Sequence, residues 1–298
     1  MTPTISIGLP VRNGERYVER AIASVLGQDY EDFELIISDN SSTDRTAEIC
    51  RDHAARDRRV RYLRTAANIG AVPNFNRVFA LARGRFFKWQ CHDDECYPWM
   101  LSRCLDVLER APASVVLTYP LCELIDERGR FHSSQIEDVK TSAARPHQRL
   151  RRFLLKATSA QALCGLIRTE ALRRTGLRGS YVLDDCGLLA ELAMLGELRE
   201  VPEVLLRIRV HAANARELNP RVRDHAIWLD PANRSRRVVL PPKAGLLVEH
   251  IRSIARLPLA PIDRLLCYAV LPVAACERPL RNFAGRQKAR LASAPSHT

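Results

Sequence analysis

The sequence has little glycine or proline for its length, 13 and 17 among 298 residues, which excludes a collagen-like or low-complexity chain. No apolar run is long enough to cross a bilayer: the longest, Leu265–Cys276 (LLCYAVLPVAAC), falls short of the ~20 residues a spanning helix needs and contains Pro272. The N-terminal MTPTISIGLPV has neither a basic start nor a long apolar stretch, so no signal peptide is expected. None of the nine cysteines forms a CxxC pair, and the nearest two, Cys91 and Cys96, have no second pair or histidine at zinc-finger spacing. That excludes a structural zinc site and leaves reduced thiols in a cytoplasmic protein as the expectation. Three fingerprints are also missing. No GxGxxG follows the first apolar run, which reads GLPVRNGE, so a dinucleotide-binding domain is excluded. Absence of GxxxxGK[ST] removes a P-loop nucleotidase, and absence of GxSxG removes the usual α/β-hydrolase.

What is present is an ordinary globular composition, 46% hydrophobic and 27% charged, in a chain about twice the usual domain length. One large α/β domain, or a domain with an appendage, fits. The 46 basic side chains outnumber the 34 acidic ones, for a net charge of +12. The excess is uneven: residues 1–199 carry 29 basic and 26 acidic groups, whereas residues 234–298 carry 12 and 3. A basic excess of this kind suits polyanionic partners. Only five of the cations are Lys, a bias that a GC-rich genome explains as readily as bidentate phosphate binding.

The first 120 residues read as strands alternating with helices, the pattern of a mostly parallel sheet covered on both faces. Ile5, Ile7 and Leu9 alternate in a first strand. Asn13 is placed to cap a helix over about 14–28, and Phe33–Ser38 is a nearly continuous apolar run expected of a buried central strand. Further strands are expected at 60–64, 86–91 and 115–119, with helices at 45–56, 71–82 and 98–110 between them. Residues 121–160 read as irregular, with a turn at Asp126–Gly129. Helical periodicity returns at 170–175 and 185–195 before a strand at 201–210. Beyond Pro231, two basic amphipathic helices are expected at 245–256 and 263–276. The expected division is 1–120, 121–231 and a basic helical extension at 232–298.

Ligands of open α/β sheets bind beyond the carboxyl ends of the strands. Three polar clusters fall there: Pro10–Glu15, Asp39–Asp44 and His92–Glu95. Asp39 alone reads equally as a helix cap. The consecutive carboxylates Asp93, Asp94 and Glu95 raise one another's pKa unless a cation compensates, and their hard oxygens suit Mg2+ or Mn2+. A solvated acidic loop is the competing reading. Trp89 reads as a core residue.

Ser6–Thr46 (SIGLPVRNGERYVERAIASVLGQDYEDFELIISDNSSTDRT), Asn68-Ile69-Gly70 with Asn76, Ala82-Arg83-Gly84, His92-Asp93-Asp94 and Asp184–Gly196 (DDCGLLAELAMLG) resemble, in order and spacing, family 2 glycosyltransferases of the GT-A fold. The resemblance spans residues 4–211. It implies an α/β fold with a mostly parallel, Rossmann-like sheet flanked by helices. It also implies an inverting, metal-dependent transfer of a sugar from a nucleoside-diphosphate sugar to a hydroxyl of a glycan, lipid-linked or secondary-metabolite acceptor. By the same resemblance Pro10, Val11, Asn13 and Glu15 match the first nucleotide-contacting loop, Asp39 the carboxylate facing the base, and Asn68 and Asn76 further donor contacts. Asp93 matches the ribose contact and Asp94 the ligand of Mg2+ or Mn2+, with His211 resembling a histidine placed near metal or pyrophosphate. Asp185 matches the general base, and its neighbour Asp184 would raise its pKa toward a useful range. For Asp184 and Asp185 the bland alternative is a helix cap with a first-turn acid.

Two other readings are weighed against this one. A nucleotidyltransferase would carry a glycine-rich basic loop after the first strand, where PVRNGE has one glycine and one arginine. A catalytically silent basic protein would bind membrane through its tail. Nucleic acid is the weaker partner, because the tail lacks arginines interleaved with aromatics and Trp228 is the last tryptophan. The tail's short basic amphipathic segments suit peripheral contact with an anionic inner leaflet.

Overall fold

A computed structural model describes residues 2–135, 139–157, 159–211, 219 and 221–274. β1 (Ile5–Val11), β2 (Phe33–Asp39), β3 (Val60–Arg64) and β4 (Phe86–Trp89) form a parallel group, β1 lying between β2 and β4. All seven residues of β1 and of β2 are buried, as their continuous apolar character requires. α1 (Val18–Leu26), α2 (Thr46–Arg56) and α3 (Ala71–Ala80) are the crossovers. After a two-residue β5 (Glu95–Cys96) and α4 (Met100–Arg110), the sheet continues through β6 (Val115–Ile125), β7 (Phe131–Gln135), β8 (Leu166–Arg168) and β9 (Glu197–Arg209). The strand order is β3-β2-β1-β4-β8-β6-β9-β5, with β7 pairing β6. β8 is antiparallel to both β4 and β6, whereas β6 and β9 run parallel, so the sheet is mixed.

α5 (Pro146–Lys156), α6 (Thr169–Arg173), α7 (Asp184–Leu195), α8 (Val222–Leu229) and α9 (Pro242–Arg256) follow, and residues 261–274 form α10. Among the described residues no helix is long and apolar enough to cross a membrane. One hydrophobic cluster packs β1 and β2 against α1 and α4; the other gathers α5 and α7 with Ile254, Leu257, Cys267, Val270 and Leu271 of the C-terminal helices. Trp89 is buried there, its ring edge-on to Phe87 and its indole N–H donating to the Phe75 carbonyl at 3.0 Å.

Three segments depart from the expected elements, one of them residues 146–156, expected to be irregular but folded as α5. Residues 121–135, expected to be irregular, extend β6 to Ile125 and return as β7; the turn at Asp126–Gly129 closes this hairpin, with Gly129 N–H donating to the Asp126 carbonyl. The first helix starts at Val18, without a side-chain cap. Asn13 is no cap: it has a left-handed φ of 51°, and its amide is used elsewhere. The last expected helix is seen over 261–274, and the remainder of the basic extension lies outside the described residues.

Glu34 on β2 ties the far edge of the parallel group together. Its carboxylate accepts from Ser6 Oγ at 2.7 Å, Arg61 at 2.6 Å and Arg83 at 2.8 Å. Burial pushes its pKa up, but Arg83, Ser6 and Arg61 outweigh burial and hold it below the ordinary value. A native pKa below the unfolded one gives stability that is present above the unfolded value and lost as pH falls through the native one. The resistance of the wild-type protein to urea unfolding should therefore decline as pH drops below about 4. In Glu34→Gln that decline should be shallower, and identical pH profiles would exclude this role.

Candidate active site

The cleft lies where the strand-order analysis of open sheets places it, at the carboxyl ends of β1, β2, β4 and β9, with a volume of about 570 Å³. β1 delivers Pro10 and Val11 to its wall. The chain then turns through Asn13, whose Oδ1 accepts from Thr43 N–H at 2.9 Å while its own N–H donates to Ser42 Oγ at 2.9 Å. Gly14 N–H donates to Thr46 Oγ1, Glu15 N–H to Asp44, and Arg45 N–H to Glu15 Oε2. The loops after β1 and β2 are thereby zipped together. Gly14 is required because a Cβ there would lie 2.7 Å from the His92 ring.

The acidic segment leaves the sheet after Trp89 and is closed by Gln90 Nε2 donating to the Asp94 carbonyl at 2.8 Å. Asp93 and Asp94 face different surroundings. Asp93 carries its Oδ2 3.0 Å from His211 Nε2, with His92 Nδ1 3.9 Å from its other oxygen. Asp94 is more deeply buried, and its Oδ1 accepts from the Arg209 N–H at 2.9 Å. Burial pushes both carboxyls up. For Asp93 the charges of His92 and His211 outweigh burial and hold it below the ordinary range. For Asp94, burial, the charge of Asp93 and the Cys164 thiol push it well above that range. The two neighbouring carboxyls are thus shifted in opposite directions. Cys91 and Cys164 offer sulfur atoms within 4.8 Å of the Asp94 carboxylate, but a hydrogen bond between these thiols, and burial, push Cys91 well up. Such thiols are poor partners for hard Mg2+ or Mn2+, which prefer oxygen.

Arg209 pins this arrangement and was not singled out from the sequence. Its buried guanidinium donates to the Asp93 carbonyl at 3.0 Å and the Asp126 carbonyl at 2.9 Å, pairs with Glu95, and lies over the Tyr17 ring. The available signal was the two-residue period of Arg207, Arg209 and His211 at the end of one strand, which puts all three on one face. The His211 ring is tilted against that of Tyr17, with centroids 4.9 Å apart, and its buried Nδ1 has no hydrogen-bond partner among the described residues. A carboxylate oxygen and an imidazole nitrogen facing each other at the cleft, beside an orphaned ring nitrogen, suit a divalent ion.

Asp184 and Asp185 open α7, entered through Leu183 in a left-handed conformation. Asp184 is buried and paired with Arg178 at 2.6 and 3.1 Å, and Arg178 rests 4.2 Å from the centroid of Phe75, a cleft residue. Asp184 was expected to act on Asp185 through its charge. Arg178 pairs with that charge at 2.6 Å and, against burial, has its own pKa raised by it, yet on Asp184 burial outweighs Arg178 and holds the carboxyl above its ordinary value. Asp185 is partly exposed; its Oδ1 accepts from Cys186 N–H at 2.7 Å, and Oδ2 has no hydrogen bond among the described residues. Gly187 lets Tyr181 pack on this first turn, since a Cβ would meet the Tyr181 hydroxyl at 1.9 Å.

Of the residues expected in the site, Pro10, Val11, Asn13, Asn68, Asp93, Asp94 and His211 line one cleft. Glu15, Asp39, Asn76, Asp184 and Asp185 lie outside its lining. Asp39 is fully buried, accepting from Ser42 N–H and Tyr62 Oη at 2.8 Å each. Asn76 spends its amide on the Arg178 backbone, donating to the carbonyl at 2.8 Å and accepting from the N–H at 3.2 Å. Asn68 Oδ1 accepts from Asn40 and from Gly70 N–H.

Comparison with known proteins adds the following. The profile of the family described as Glycosyl transferase family 2 matches residues 6–176. An uncharacterized glycosyltransferase of Rickettsia typhi is 26% identical over 231 residues, 76% of this chain and 71% of that protein. The chondroitin synthase of Escherichia coli is 33% identical over 132 residues, 44% of this chain but only 19% of the synthase. Among solved structures, Staphylococcus aureus TarS 1–349 in complex with UDP-GlcNAc superposes with a TM-score of 0.63 at 16% identity, covering 91% of this chain and 72% of that one. The Pyrobaculum calidifontis mannosyltransferase PcManGT, in complex with GDP-Man and Mn2+, gives 0.53 at 17%, covering 97% and 81%.

Proposed function

Because the chain belongs to glycosyl transferase family 2 and has the GT-A fold, we propose that it is an inverting, divalent-metal-dependent glycosyltransferase. It moves a sugar from a nucleoside-diphosphate sugar to a hydroxyl of a glycan, lipid-linked or secondary-metabolite acceptor. The observation that carries this reading is the Asp93–His211 pair lining a strand-end cleft, with a partly exposed Asp185 at the head of α7. The solved relatives in complex with UDP-GlcNAc and with GDP-Man and Mn2+ support a donor of this class.

The donor lies against Pro10, Val11 and Asn13 on one wall and Asn68 on the other. Glu15, Asp39 and Asn76 act from behind, holding the loops that form those walls. Asp93 and His211 would hold Mg2+ or Mn2+, with Asp94, the ligand expected from the sequence, beside them and anchoring the loop by accepting from the Arg209 N–H. The metal, when bound, offsets negative charge that develops on the departing nucleoside diphosphate. Asp185 takes the proton of the acceptor hydroxyl as it attacks the anomeric carbon from the face opposite the leaving group, and this single displacement inverts the configuration. Arg178 and Asp184 fix the turn that presents Asp185. The chain works as a peripheral protein at the anionic inner face of a membrane.

A thermal-shift screen of nucleoside diphosphates and their sugars, with Mn2+ or with chelator, identifies the donor. With that donor and a hydroxyl acceptor, proton NMR should find the new glycosidic bond opposite in anomeric configuration to the donor. Retention would refute the single displacement.

A further inference from the structure

Seven of the thirteen exposed large hydrophobic side chains among the described residues fall between 238 and 273. Both C-terminal helices are apolar on two sides. Their inner sides, Ser253, Ile254 and Leu257 on one and Cys267, Val270, Leu271 and Ala274 on the other, are buried against the domain. Arg256 and Ser253 both bond to Glu191 of α7 and lock α9 in place. Their outer sides are Ala244, Leu247, Ile251 and Ala255 on α9, and Ile262, Leu265, Ala269 and Val273 on α10, all exposed, with Leu265 at 64%. Each set follows i, i+3, i+7, i+11, one stripe of a helix. Tyr268 Oη donates to the Ile251 carbonyl at 3.4 Å, so the two helices pack side by side at this level.

Charge selects the occupant. Lys243 on α9, and Arg234, Arg236 and Arg237 in the segment that leads into it, are exposed and form no ion pair among the described residues. The two acids of the region are already answered, Glu249 by Arg252 and Asp263 by Arg145. A second copy meeting this face across a two-fold axis would set like charges against each other. A bilayer with anionic headgroups answers both features, taking the aliphatic side chains at the acyl boundary and the cations at the phosphates.

We infer that the outer sides of α9 and α10 form the surface by which this protein docks on an anionic lipid bilayer. This rests on the peripheral placement proposed above and names the residues responsible for it. Docking uses exposed positions only, so its loss need not disturb the cleft.

Co-sedimentation of the full chain with phosphatidylcholine vesicles, with and without phosphatidylglycerol, tests it. Binding should require phosphatidylglycerol and weaken with salt. Ile262→Glu with Leu265→Glu, and separately Arg236→Glu with Arg237→Glu, should each lower vesicle affinity about tenfold or more. Phe131→Glu, an exposed apolar site on β7, should leave it unchanged. Equal binding to both vesicles, or full binding by the Ile262→Glu, Leu265→Glu variant, would overturn the inference. So would sedimentation velocity showing self-association that this variant abolishes while the wild type ignores vesicles. Calorimetry with donor on the same variants separates the two proposals: a protein that binds vesicles but no nucleotide keeps the docking surface and loses the transferase reading.

Discussion

Asp185→Asn is expected to lower turnover by about 10²- to 10⁴-fold while leaving donor affinity unchanged. The amide has the same shape as the carboxylate, so the bond from Cys186 N–H to Oδ1 is kept, but it cannot accept the acceptor's proton. Asp184→Asn should behave differently. Asp184 is buried against Arg178, and removing its charge leaves a buried guanidinium unpaired, a loss of about 3–5 kcal/mol of folding stability by the usual cost of breaking such a pair. The two neighbouring substitutions therefore separate in kind: one spares the melting temperature and removes turnover, the other lowers the melting temperature. Steady-state rates with calorimetric donor affinities and melting curves check this. Turnover retained by Asp185→Asn would move the base elsewhere.

Asp93→Asn should reduce the affinity for donor with Mn2+ by about 100-fold or more, a neutral amide being a weak ligand where the account places most of the ion's charge compensation. His211→Ala should act in the same direction, for it removes the nitrogen that faces Asp93 at 3.0 Å. Asp94→Asn is the internal control. Its Oδ1 can still accept from the Arg209 N–H, so the loop is kept and metal-dependent binding should remain close to wild type. Electron paramagnetic resonance of free Mn2+ in the presence of nucleoside diphosphate reads all three. Loss in Asp94→Asn with retention in Asp93→Asn would restore the metal to the residue expected from the sequence.

Much of this was legible beforehand, where local pattern and tertiary environment agree. The continuous apolar runs of β1 and β2 name buried strands, and the polar clusters that end them fall at the cleft. What stayed hidden depends on partners distant in sequence. Asn13 has the residue type of a helix cap, but its amide is taken by a loop thirty positions away, and the helix starts at Val18 instead. Asn76 bonds across 102 positions to Arg178, and Asp39 across 23 to Tyr62; neither bond leaves a local trace. Adjacent aspartates look alike in one dimension, whereas the end of β9 and the residues just after it separate them, Arg209 offering a backbone N–H to Asp94 and His211 an imidazole to Asp93. β6 beyond Tyr119 was obscured by Pro120 and by polar Glu123, which is matched across the sheet by Arg207.

The net charge of +12, read first as a mark of polyanion binding, is concentrated in residues 234–298, which carry 12 basic and 3 acidic groups. The cleft lining sets Asp93 and Asp94 among His92, His211, Arg12, Arg16 and Arg209, whereas Arg234, Arg236, Arg237 and Lys243 are exposed at and just before α9. The central claim is that the cleft binds a nucleoside diphosphate through a divalent ion held by Asp93. Isothermal titration of the wild-type chain and of Asp93→Asn with the selected nucleoside diphosphate, each with Mn2+ and with chelator, tests it most directly. The account predicts a saturable, one-to-one isotherm for the wild type with Mn2+ that disappears with chelator and in Asp93→Asn. Equal affinity in all four titrations would contradict it.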